Sequence, residues 1–245
     1  MAHTKNRLGG SFQVGQQMAN MYYQKYEKRG VPMPFCIALG GPPTSILTAT
    51  LPIPVGESEA DWVGGLEQEP VELVRAETND LLVPASAEVI IEGEVRPYER
   101  WDEGPFGEYD GFMNAPRLPR PVYRIHAITH RKNPIYPFIQ EGVKVNDTQC
   151  LYNTTFPALV EMGAIFAGLD LKAVGVPGEG LLPTIAMGVK RPGYVREVCC
   201  FFYSMGISAW FDKVVAVDPY VNPIDAEEML EEIVLKMHPR KGYRT

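Results

Sequence analysis

Between Glu103 and Phe112 the chain reads Glu-Gly-Pro-Phe-Gly-Glu-Tyr-Asp-Gly-Phe, and no helix can run through it. Proline lacks the N–H that a helix interior needs, and the glycines favour tight, non-helical backbone. The two glutamates, Glu103 and Glu108, are therefore expected in a rigid loop that can aim both acids into one space. Two carboxyl groups so placed divide into one proton donor and one anion near neutral pH, which suits acid–base chemistry. The plainer reading of the same residues is a solvated acidic turn.

Strand signals surround this loop. Pro34 to Leu39 reads as a short buried strand, followed by Pro70 to Glu77 and Ser86 to Val95. In the last of these, Ala87, Val89 and Ile91 alternate against Glu88, Ile90 and Glu92. Val122 to His130 and Ile135 to Gln140 are expected to pair as a hairpin around Arg131-Lys132-Asn133-Pro134. His126 and His130 then share a face with Ile128, which favours an exposed or structural role over metal ligation. Antiparallel strands at this density point to a barrel or sandwich.

Helices are expected at Phe12 to Arg29, with Met18, Met21, Tyr22 and Tyr26 as its core stripe and Gly30 and Pro32 as its stop. Thr44 to Thr50 allows one or two turns, and Glu57 to Leu66 opens with the acids that a helix N-terminus favours. After about Gln149 the pattern changes. Asn153 to Gly168 and Gly193 to Met205 read helical, and Ala173 to Val176, Leu182 to Met187 and Val214 to Asp218 read as strands. A last helix starts at Asp225, with Ala226, Met229, Leu230, Ile233 and Val234 inside. The expected class is α+β: residues 1–149 forming one barrel-like domain and 150–245 a partial α/β domain.

The 245 residues are enough for a substantial core, and 45% hydrophobic with 22% charged residues is ordinary globular composition. A formal net charge of −7 argues against a nucleic-acid partner. No apolar run approaches the roughly 18 residues of a membrane span, and no signal peptide opens the chain. Cys36, Cys150, Cys199 and Cys200 show neither CxxC spacing nor a disulfide framework, so a reducing, cytoplasmic setting is expected.

The motif Glu103 to Phe112, followed by Arg124-Ile125-His126-Ala127-Ile128-Thr129-His130-Arg131-Lys132-Asn133-Pro134, closely resembles the UbiD family of prenylated-FMN-dependent decarboxylases. The resemblance extends through Pro34 to Pro43, Leu51 to Pro54, Glu72 to Leu81 and Pro84 to Gly93, and so covers nearly everything from Lys5 to Thr148. It implies a split β-barrel flavin-binding domain followed by the start of a C-terminal α/β domain. It implies a non-oxidative carboxy-lyase acting on an aromatic or α,β-unsaturated carboxylic acid through an adduct with prenylated FMN, the electron sink that side chains cannot supply. On that resemblance Glu108 is the proton donor and Glu103 its electrostatic partner. Glu59 is the ligand of a manganese or magnesium ion bridging the flavin phosphate, with potassium as a companion cation. Gln16, Gln17, Ala49, Thr50 and Leu51 fall along the cofactor, and Asp147 and Thr148 near the substrate.

The departures from the family are as specific. Its asparagine metal ligand and catalytic arginine precede the position of Met1, its metal-binding histidine aligns with Gln17, and its cofactor lysine with Gly206. The expectation is a homo- or hetero-oligomer in which another chain supplies the missing N-terminal domain, with a flavin prenyltransferase as cofactor source. A non-catalytic subunit that binds a full-length homologue is the alternative, and a flavin barrel with reductase-like chemistry a third reading.

Overall fold

The structure is a computed structural model. It describes residues 2–12, 17–51, 53, 56–105, 107–108, 111–113, 116–142, 145–177, 182–205, 211 and 213–237. The chain divides into two compact units: residues 1–108 with 112–139, and residues 109–111 with 140–245.

The first unit is organised by two long neighbours in sequence, β6 (Val89–Glu103) and β7 (Leu118–His130), which pair antiparallel. β7 takes β2 (Arg7–Gly9) on its far side, β2 takes β1 (Ala2–Thr4), and β3 (Met33–Leu39) closes the order β1-β2-β7-β6-β3. The expected hairpin between Val122–His130 and Ile135–Gln140 does not form. Pro134 and Pro137 leave that second segment short of donors, it is not a strand, and β6 takes its place beside β7. Gly93 permits the pairing: a Cβ there would lie 1.8 Å from the Arg124 carbonyl oxygen. The Pro70–Glu77 expectation narrows to β4 (Leu73–Arg75), which pairs with β5 (Leu82–Pro84) in a two-stranded sheet.

Of the helix expected over Phe12–Arg29, the described part from Gln17 onward is helical, in three windings, while Phe12 lies outside it. α1 (Gln17–Asn20) passes into a π-helical stretch, Met21–Tyr26, and a 3₁₀ turn, Glu27–Arg29, which ends on left-handed Gly30. The wider winding breaks the expected stripe: Tyr22 is fully buried against Phe12, Met33, Phe35 and Val95, but Met18 is 46% exposed. α2 (Pro43–Ala49) and α3 (Glu59–Glu67) form close to their expected spans, the latter capped by the Ser58 side chain on the Ala60 N–H. The exposed outer face of β7 carries His126, Ile128 and His130, as the alternation predicts.

The second unit alternates as expected. α4 (Asp147–Phe166) starts six residues earlier than the apolar pattern suggests, because the Asn146 side chain accepts from the Gln149 N–H and caps it there. β8 (Ala173–Gly175), β9 (Thr184–Ala186) and β10 (Val215–Val217) form a three-stranded sheet of order β10-β9-β8. With α5 (Tyr194–Ser204) they enclose Phe156, Val160, Ile185, Met187, Val198, Phe202 and Phe211. α6 (Ala226–Lys236) is capped by Asp225, but of its expected inner residues only Met229 is buried, while Ala226, Leu230 and Val234 are exposed.

Candidate functional site

β6 ends on Glu103, opposite Leu118, and buries it to 7% exposure. The sequence alone suggested a loop position; the acid in fact has a strand to fix it. The chain leaves through left-handed Gly104 (φ 91°) and a cis Gly104–Pro105 peptide. It then reverses: Gly107 bridges Met113, and the Glu108 N–H donates to the Phe112 carbonyl at 2.9 Å, with left-handed Gly111 completing the turn. Glu108 is thus half-buried at the base of a small closed loop, five residues after a buried acid. Phe106, Tyr109 and Asp110 lie outside the described residues.

The cofactor residues expected from the resemblance group in part. Thr50 and Leu51 follow α2 in a tight turn, where the Thr50 hydroxyl donates to the Leu47 carbonyl at 2.7 Å and the Leu51 N–H to the Thr48 carbonyl at 3.0 Å. Ala49, the last residue of α2, is exposed. The Gln17 side-chain amide reaches across to this segment and donates to the Ile53 carbonyl at 2.9 Å. The Thr48 hydroxyl beside it is fully buried with no hydrogen-bond partner among the described residues, a polar group that sequence reading did not single out. Nothing in a threonine's local sequence signals such an orphan. Gln16 and Gly206 lie outside the described residues.

Next to Gln17, Met18 edges a cavity of about 400 Å³ lined also by Gly10, Phe12, Phe35, Ile37 and Tyr123. Burial, and next the Glu103 charge, push the Tyr123 hydroxyl above the ordinary tyrosine range. Its phenol therefore stays protonated and available as a donor at neutral pH.

Glu59 stands exposed in the first turn of α3. Among the described residues no three His, Cys, Asp or Glu side chains converge on a point that could hold a metal ion. In the second unit, Asp147 is engaged with Gln140: its carboxylate accepts from the Gln140 N–H at 2.8 Å and its N–H donates to the Gln140 carbonyl at 3.2 Å. Thr148 donates to Glu141. No described helix is long and apolar enough to cross a membrane.

The whole fold recurs in solved structures. Over 98% of this chain and 51% of the other, the fold superimposes on the closed form of Sedimentibacter hydroxybenzoicus vanillic acid decarboxylase with a TM-score of 0.88 at 26% identity. Over 96% and 54%, it matches an evolved dimeric form of the UbiD-class enzyme HmfF from Pelotomaculum thermopropionicum, solved in complex with prFMN, with a TM-score of 0.83 at 28% identity. By sequence it is 36% identical to the pyrrole-2-carboxylic acid decarboxylase of Pseudomonas aeruginosa over 96% of this chain. It is 30% identical to a phenolic acid decarboxylase of Bacillus subtilis, again over 96%. This chain spans about half the length of those two relatives, 49% and 50%. The family description "3-octaprenyl-4-hydroxybenzoate carboxy-lyase Rift-related domain" matches residues 1–144. The chain belongs to the UbiD family.

Proposed function

We propose that this chain is the flavin-binding, acid-bearing part of a non-oxidative carboxy-lyase acting on an aromatic or α,β-unsaturated carboxylic acid, with Glu108 as proton donor and Glu103 as its electrostatic partner. The observation that carries the reading is the arrangement of the two acids. One is buried at the end of a paired strand, and the other follows five residues later at the base of a loop closed by its own backbone.

In such a reaction the bond to the carboxylate breaks, carbon dioxide leaves, and the electron pair stays on carbon. A prenylated FMN, when bound, supplies the electron sink for that pair. Glu108 gives its proton to the carbon and recovers one from water, so the sum is acid to hydrocarbon plus carbon dioxide. Gln17 and the 49–51 turn are the described residues that would hold it. Glu59 would give one carboxylate to a divalent ion there, and no step here passes through that ion. A second chain carrying the remaining part of the family fold is the expected partner, and a flavin prenyltransferase the expected cofactor source.

The test is native mass spectrometry after co-expression with a flavin prenyltransferase, alone and with a second chain of the family, followed by turnover of aromatic and unsaturated acids. Flavin retention is expected, with turnover lowered about 100-fold or more in Glu108→Gln. Turnover unchanged by that substitution, or no flavin in any sample, would overturn the reading. One observation favours a non-catalytic subunit instead: the Gln17 amide, at the place of the family's metal histidine, is tied to backbone. Co-purification with a full-length homologue whose rate is unaffected by Glu108→Gln would support that alternative.

A further inference from the structure

The face from which Glu103 emerges is decided by a bulge earlier in its strand. Between Val95, opposite Tyr123, and Arg100, opposite Pro121, β6 advances five residues while β7 advances two. The excess is three, an odd number. Side chains alternate along a strand, so an odd insertion inverts the facing of everything beyond it. Without it Glu103 would leave from the face of Val95 and Tyr123; with it, Glu103 takes the face of Trp101 and Leu118.

The bulge is pinned from outside the sheet. Glu27, 8% exposed in the 3₁₀ turn, accepts on one oxygen from the Tyr98 N–H (2.8 Å), from Arg100 (2.6 Å) and from the Tyr22 hydroxyl (2.9 Å). Tyr98 is held in the left-handed region at φ 60°, which non-glycine residues rarely adopt. The Tyr22 oxygen accepts from Arg100 at 3.1 Å and lies 3.0 Å from the Arg96 carbonyl, within the bulge itself. The Arg100 guanidinium packs over the Tyr22 and Tyr23 rings, with its centre 5.7 and 6.0 Å from their centroids. Burial opposes charge on Glu27, but the Tyr98, Arg100 and Tyr22 donors together hold its carboxyl below the usual range.

We infer that the Glu27–Arg100–Tyr22 clamp is a positioning device for Glu103: it fixes the odd bulge and thereby the face on which that acid is presented. The inference deepens the role proposed above for Glu103 and rests on it, but its test needs neither cofactor nor turnover. The Pro121 carbonyl accepts from the Gly10 N–H of β2's end, so the even-spaced Pro119 and Pro121 both turn their backbone away from β6. Asp102 and Pro119 are therefore a close, non-hydrogen-bonded pair, within disulfide reach.

In a background with the exposed Cys150 and Cys200 changed to Ser, an Asp102→Cys/Pro119→Cys pair should crosslink on mild oxidation. Arg100→Met or Glu27→Gln should slow that crosslinking at least tenfold, because a slipped strand sets residue 102 opposite Pro116. Arg100→Lys should restore most of it. In parallel, the isotope-edited infrared carboxyl band of Glu103 should change position with Arg100→Met and return with Arg100→Lys. Fast crosslinking and an unmoved Glu103 band in a folded Arg100→Met protein would overturn the inference, as would failure of the parent pair to crosslink. If flavin binding fails while these effects appear, the reading of function falls and the clamp stands.

Discussion

Glu92 holds its carboxylate where only 1% of the residue meets solvent, and it stays charged there because three donors converge on it. The Glu77 N–H (3.1 Å), the Thr78 N–H (2.7 Å) and the Thr78 hydroxyl (2.7 Å) all point at its oxygens. Burial alone would favour the neutral acid, but these donors outweigh it and keep Glu92 below its ordinary value of 4.5. The sign follows from that direction: an acid lowered on folding contributes stability above its unfolded value, and the contribution is lost as the pH falls through the folded one. Urea unfolding between pH 7 and 3 should show stability declining below about pH 4.5. Glu92→Gln should lose about 2 kcal/mol at neutral pH, the usual worth of hydrogen bonds to a charged group. The variant's deficit should shrink in acid; a deficit independent of pH would contradict the account. The alternation of the strand put Glu92 on the polar side with Ile90, whereas both are buried. Periodicity could not see the Thr78 turn, which makes an inward acid tolerable. By contrast, the turn after Glu103 was legible, because glycine and proline constrain backbone locally, although Glu103 itself closes β6 and does not lie in the loop.

Helix starts were legible to within two residues for α3 and α6, but not for α4, whose Asn146 cap the apolar pattern does not show. Ser58 and Asp225 mark the starts of α3 and α6 through side-chain bonds to the N–H groups of Ala60 and of Glu227 and Glu228. Strand partnership was not. β6 and β7 are separated by residues 104–117, a stretch that reads as loop, while the nearer Ile135–Gln140 segment has a strand's apolar content without its donors. Glycine supplies the element-level test. Gly93→Ala would drive a methyl group into the Arg124 carbonyl at the point where the β6–β7 register shifts. Over-packing of this severity costs about 3 kcal/mol. Urea midpoints should report it, with β3 and β7 amides exchanging faster. A loss below 1 kcal/mol would mean that the two strands can separate there without penalty.

At the scale of the molecule, each unit has its own apolar centre: Phe12, Tyr22, Met33, Phe35 and Val95 in the first, Phe156, Val160, Ile185, Val198 and Phe202 in the second. Phe202→Ala should therefore cost about 3–5 kcal/mol in the second unit alone. Hydrogen exchange should accelerate across Asp147–Lys236 while Val89–His130 keeps its protection; uniform acceleration would show a single cooperative block. The α+β class was legible because helical and strand periods differ, while the compact units divide at 139/140, ten residues before the expected change of pattern. The outward side chains of α6 were not, since periodicity shows an apolar arc but not how much of it a neighbour covers. The sheet's build order carries a kinetic meaning. Because β6 and β7 are consecutive in sequence, they can zip together after closing one short loop, whereas β3 must wait for residues 40–88 to fold back. The strand that carries Glu103 then belongs to the earliest native structure, and each later strand docks onto a template already in place.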